Sequence, residues 1–182
     1  MPHFFIKSFK VGLLLLLPLF YSSSFINKSF EESRTKNGQY LLKTKGDKEI
    51  NLQGTISFLT SIEVSANGEK YAVLKLDLSD TKSINGHSFG FIVSEPYGKS
   101  KEIGAGTYPI TSQINGFLNY FEGVFGFANI SAFGELPYFA KEGSITVESM
   151  DQTKLEGFLD IIFINPDGEN ISVIGNFDAD RE

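Results

Sequence analysis

The segment "KLEGFLDIIFINPDGENISVIGNFDA", Lys154 to Ala179, alternates apolar and polar positions, breaks at Asn165-Pro166-Asp167-Gly168, and alternates again. A period of two marks a half-buried strand. Pro-Asp-Gly supplies a fixed φ, a polar turn residue and a left-handed glycine. Pairing Asn165 with Glu169 sets Phe163 against Ile171, Ile161 against Val173, Leu159 against Gly175 and Gly157 against Phe177. One face is then apolar throughout, and the other mixes Asp160, Asn170, Ser172 and Asn176 with Phe158, Ile162 and Ile174. A phenylalanine over a cross-strand glycine shields backbone and marks strong local twist. The preceding "GSITVESMDQTK" predicts a third strand with Ile145 and Val147 inward, so residues 143–180 form a three-stranded meander.

"INLQGTISFLTSIEVSANGEKYAVLKLDLSD" predicts another hairpin. Ile50, Leu52, Ile56, Phe58, Ile62 and Val64 share one parity, and Ala72, Leu74, Leu76 and Leu78 share another. Asn67-Gly68 suits a two-residue type I′ turn, but that register would set the aliphatic second strand against Glu63 and Ser61. A three-residue loop with Gly68 in a left-handed bulge pairs Ile62 with Ala72, Thr60 with Leu74 and Phe58 with Leu76. One residue of slip swaps the faces, so burial selects the bulged turn. Further on, "HSFGFIVSEPYG" predicts a strand at 87–94 and a turn, and "GAGTYPI" a short strand after a glycine-rich loop. Residues 114–139 hold eight aromatics and four glycines and are apolar on both parities, as in a buried strand pair or a loop lining a cavity.

From about Asn37 the chain reads as short strands separated by turn signals. The expected fold is one all-β, mostly antiparallel domain at 37–182, a barrel or sandwich of about eight to ten strands. Residues 25–36 are polar and aperiodic, an N-terminal arm or a short helix capping one end of the barrel. Before them, Lys7 and Lys10 precede an uncharged apolar run from Val11 to Tyr21, and Ser22-Ser23-Ser24 follows. This three-part layout predicts a cleaved secretory signal peptide at 1–24. The run is shorter than the roughly 20 residues a membrane span needs. The expectation is a secreted or periplasmic protein with no membrane span after cleavage.

Composition narrows the chemistry. Without Lys7 and Lys10 the chain has 14 basic against 22 acidic residues, a net charge of −8. An acidic surface repels phosphate backbones, so nucleic acid is not an expected partner. The chain has no cysteine. That removes disulfides, thiolate catalysis, cysteine metal sites and thioether lipidation. The core then rests on apolar burial, with 18 Phe and 7 Tyr to supply area.

"GTYPI" and, after a gap, "GSITVESMDQTKLEGFLDIIFINPDGENISVIGNFDA" resemble a family of small exported bacterial proteins described only as a domain of unknown function. The likeness covers roughly residues 50–180 and is firmest at 104–110 and 143–178. It carries a closing meander of G-x-I-T-V, G-x-F and G-x-F strands, here Gly143–Val147, Glu156-Gly157-Phe158 and Gly175-Asn176-Phe177. The resemblance implies an exported all-β domain and brings no catalytic residues. Many members carry a lipobox cysteine, which this chain lacks.

Candidate chemistry is sparse. His87 is the single histidine after the signal segment. Without a second histidine at ligand spacing it makes no typical zinc site, and without G-x-S-x-G no serine elbow. It reads as a surface histidine at a strand end. Glu122, Glu135, Glu142 and Asp160 lie near aromatics and could form a carboxylate pair for glycan chemistry. "NPDGEN" and "DADRE" are oxygen-rich without EF-hand spacing. They read as a turn and a solvated tail, and no metal or cofactor is expected. Core filling is the first reading of the aromatic run. If it lines a pocket instead, Phe117, Tyr120, Phe121, Phe125 and Phe127 are the ligand-binding candidates. The expected function is an exported, non-enzymatic binding or accessory protein whose partner is a small apolar ligand, a glycan or a protein. A lipocalin-like carrier of an apolar ligand is the alternative, and a carboxylate-dependent glycan-active enzyme a distant one.

Overall fold

A computed structural model describes residues 38–46, 48–80, 86–111 and 122–182. The predicted signal segment at 1–24, the predicted arm at 25–36 and Phe117, Tyr120 and Phe121 lie outside the described residues. Within them run nine strands: β1 (Gln39–Lys45), β2 (Asn51–Val64), β3 (Lys70–Asp80), β4 (His87–Pro96), β5 (Gly106–Pro109), β6 (Gly123–Ile130), β7 (Tyr138–Met150), β8 (Lys154–Ile164) and β9 (Asn170–Arg181). Eight of them close an antiparallel barrel in the order β7-β6-β4-β3-β2-β1-β9-β8 and back to β7. Closure leaves no long unpaired edge to guard.

β5 is the extra strand. β6 pairs with β7 only at Phe127↔Phe139 and Ala128↔Tyr138, and β5 pairs with the same side of β7 further on, from Pro109↔Ser144 to Gly106↔Val147. β7 changes register between Ala140 and Glu142. Such a bulge reverses which parity faces inward. Tyr138 is therefore buried before it, and Ile145 and Val147 after it.

Both predicted hairpins form in the predicted register. Phe163 opposes Ile171, Ile161 opposes Val173, Leu159 opposes Gly175 and Gly157 opposes Phe177. A side chain on Gly157 would meet the Phe177 ring at 2.6 Å. Ile62 opposes Ala72 and Phe58 opposes Leu76, with Gly68 at φ +85°. The closing meander is present, and its first strand starts earlier than predicted, at Tyr138.

The inward parity of each strand is apolar, and its members are nearly all under 4% exposed: Leu42, Ile56, Leu74, Leu76, Phe89, Phe91, Leu159, Ile161, Phe163 and Val173 among them. An eight-stranded barrel is just wide enough for such side chains to fill. Phe89 stacks on Phe91 at 6.3 Å between centroids, and both lie about 6 Å from the Phe163 ring. Room for these rings comes from glycine: a side chain on Gly126 would collide with Phe91, 2.5 Å from its ring.

Two expectations change. "DADRE" is strand rather than solvated tail: β9 continues to Arg181, with Ala179 fully buried and Asp180 paired with Lys154. His87 does stand at a strand end but is only 8% exposed. The reason is its neighbour Tyr40, which reaches it from a strand 47 residues away.

Candidate functional site at the open mouth of the barrel

The two ends of the barrel differ. At the end formed by the β1–β2, β6–β7 and β8–β9 turns, side chains meet across the opening. The Tyr40 hydroxyl and His87 Nε2 lie 2.7 Å apart. Tyr40 fits because Gly54 opposite has no side chain; a Cβ there would stand 2.6 Å from the phenol oxygen. Burial raises the Tyr40 pKa, and burial lowers that of His87 against the opposing effect of Asp80. A neutral imidazole accepting the phenol proton fits both directions. Beside them Lys48 donates to the Ala132 carbonyl at 2.8 Å and stands over the Phe133 ring, which meets Tyr138 edge-on. Tyr138 donates to Glu169, which also takes a bond from the buried Asn165.

The opposite end is open. Here a cleft of about 670 Å³ is lined by the β2–β3 hairpin (Thr60 to Ile62, Ala72 and Val73), the loop at 101–104, the β7–β8 turn at 150–152 and Arg181. Three local features shape it. On its β9 side, β2 outruns its partner: β9 pairs with β2 only as far as Phe58, and β2 runs on to Val64, while β3 stays paired with β4 up to Tyr71↔Pro96. The inward-parity Ile62 and Val64 therefore stay 54% and 53% exposed. The glycine-rich loop sends Ile103 down into the core as the floor, and the Tyr108 hydroxyl holds its backbone by donating to the Gly104 carbonyl at 2.8 Å. Asp151 tightens the β7–β8 turn by accepting from the Thr153 and Lys154 amides at 2.7 and 2.8 Å, which pulls its pKa down.

Arg181 is the fixed charge in this cleft. It donates from Nη1 to the Gln152 carbonyl at 3.0 Å and from Nη2 to Thr60 Oγ1 at 2.6 Å, and its guanidinium lies 5.9 Å from the Phe58 ring centroid. Among the described residues, no carboxylate forms an ion pair with it. Lysine–carboxylate pairs stand on the outside of the wall, such as Lys75 with Glu63 and Lys99 with Glu122.

The predicted candidates fall elsewhere. Phe125 and Phe127 are half-buried on the outer parity of β6, opposite the inward Val124 and Ala128. Phe127 covers Gly90 of β4, where a side chain would collide with its ring. Glu122, Glu135, Glu142 and Asp160 are all exposed: Glu122 and Glu135 lie in loops before β6 and β7, and Glu142 and Asp160 on the outer side of the paired strands β7 and β8. The structure does not gather them into one groove with the aromatics. What sequence reasoning missed is Arg181, which sits in a run read as tail. The one signal that could have found it is parity: Phe177, Ala179 and Arg181 share the inward face of β9. No family model matches this chain, and no curated protein or solved structure matches it either.

Proposed function

We propose that this chain is an exported, non-enzymatic binding protein that holds a small ligand at the open mouth of its barrel. The observation that carries the reading is the cleft itself. Its volume lies within the roughly 300–1,000 Å³ usual for ligand sites, and it combines an exposed apolar wall with one oriented cation. The filled interior favours a ligand at the mouth over one enclosed deep in the barrel. Export rests on the Lys7/Lys10, Val11–Tyr21 and Ser22–Ser24 pattern. The wall supports an aqueous setting: apolar side chains point in and the lysine–carboxylate pairs stand outside, the inverse of a lipid-facing barrel.

The test is native mass spectrometry on protein from its own producing cells, beside a Gly104→Trp variant. Gly104 lines the cleft, and a Cβ there meets nothing within 4 Å, so an indole can occupy the cleft without collision at its root. An excess mass that is lost on denaturation and absent from the variant supports the reading. An excess mass unchanged in the variant places the ligand elsewhere and refutes it.

A further inference from the structure

We propose that the mouth cleft selects an amphipathic carboxylate, an acyl chain carrying a single anionic head, and that Arg181 is the residue that binds the head. The inference rests on the cleft being the ligand site and adds the chemistry of what it takes.

The head follows from the guanidinium. It has five N–H donors in a planar fork. One from Nη1 goes to the Gln152 carbonyl and one from Nη2 to Thr60 Oγ1. Both partners are neutral, so three donors and the whole charge are left, with one donor on each terminal nitrogen. That is the arrangement a carboxylate engages in bidentate fashion. The group is also held in place before any ligand arrives, by two hydrogen bonds and by the Phe58 ring beneath it. Pre-orientation removes the side-chain ordering cost that binding otherwise carries. The protein is acidic, with net charge −6, so an unpaired arginine is a local exception to its field. Lys101 adds a second cation on the rim. Of the two carboxylates that line the cleft, Asp151 is turned into its own turn by three hydrogen bonds, and Glu102 stands on the rim beside Lys101.

The tail follows from the wall. Ile62 lies on the inward parity of β2 and stays half exposed in the cleft, beside Ala72 and Val73, with Ile103 and Met150 also in the lining; Val64, equally exposed, continues the same parity beyond it. An acyl chain lying along this wall covers apolar surface that the fold leaves wet.

Calorimetric titrations below micelle concentration test this, with sodium decanoate and decan-1-ol as probes on the full chain, Arg181→Gln and Gly104→Trp. Wild type is expected to bind decanoate about tenfold or more tightly than decanol, the scale of one hydrogen bond to a charged group. Arg181→Gln should bring decanoate down to the level of decanol and leave decanol unchanged. Gly104→Trp should abolish both. Equal binding of the two probes by wild type, lost in Gly104→Trp, overturns the role of Arg181 and leaves the cleft as the site. Binding that survives Gly104→Trp, or no binding of either probe, overturns the inference outright. Should Arg181→Gln fail to fold, the pH dependence of wild type decides. Decanoate affinity should fall as its own carboxyl protonates while decanol affinity stays flat, and parallel behaviour of the two refutes the proposal.

Discussion

At one end of this barrel, rings and polar partners from strands far apart in sequence meet across the opening. Tyr40 bonds His87, Phe133 meets Tyr138, and Tyr138 reaches Glu169. At the other end, β2 runs past β9 and leaves Ile62 and Val64 half exposed beside a cleft. The same alternating pattern produces both. Its inward residues become core where strands stand on all sides, and stay half exposed where β2 outruns β9. Burial in a barrel is set by strand length relative to barrel height as well as by parity.

The largest expected effect separates core from wall. Phe89→Ala removes a ring in contact with Phe91, Phe163, Tyr40 and His87. It should cost about 3–5 kcal/mol in urea unfolding. Ile62→Ala, on the same inward parity, should cost less than about 1 kcal/mol, because that side chain is already half in water. Similar losses in the two variants would mean that the mouth is as closed as the far end.

Glycine sharpens the contrast. A methyl on Gly54 would collide with the Ser79 carbonyl and with the Tyr40 hydroxyl. Gly54→Ala should cost about 1–3 kcal/mol by overpacking. Gly104→Ala enters open space and should be neutral within about 0.5 kcal/mol. Thermal melts of the two variants check this pair.

Removing one hydroxyl from the closed end tests its polar join. Tyr40→Phe keeps the ring and leaves His87 Nε2 without its 2.7 Å partner. An orphaned buried acceptor costs about 1–2 kcal/mol. Thr60→Val at the open end removes the acceptor of an exposed Arg181 bond. Water can replace that bond, so chemical denaturation should show a loss below about 0.5 kcal/mol.

These contrasts also show where the sequence was legible. The Phe163↔Ile171 and Ile62↔Ala72 registers were readable because turn geometry and parity agree locally. His87 was misread because its burial depends on Tyr40 in β1 and on the vacancy at Gly54 in β2, neither near it in sequence. Ile62 and Val64 had the right parity, but overshoot is a relation between strands that no single strand records. Phe125 and Phe127 lie in a run apolar on both parities, so the pattern could not tell the inner wall from the outer. The cleft was illegible for the same reason as His87. It draws one to four residues from each of five separated segments, and none of them carries a motif.

The smallest effect belongs to pH and to the closed end alone. His87 is buried as the neutral imidazole, and its pKa is lowered from the usual 6.5 chiefly by desolvation, against the attraction of Asp80. The unfolded chain takes up a proton near 6.5 and the native chain only at lower pH. Between these values the unfolded state binds more protons, so stability is complete above about pH 6.5 and declines as pH falls below it. Asp178 and Asp77 act in the opposite sense, since burial raises their pKa values and acid relieves that cost. Both remain in a His87→Gln variant, so the difference between wild type and variant isolates the histidine. Urea midpoints measured from pH 8 to pH 5 should show a constant difference down to about 6.5 and a shrinking wild-type advantage below it. A difference that stays constant throughout would mean that His87 titrates alike in both states, and that the closed end is wet enough to resemble the open one.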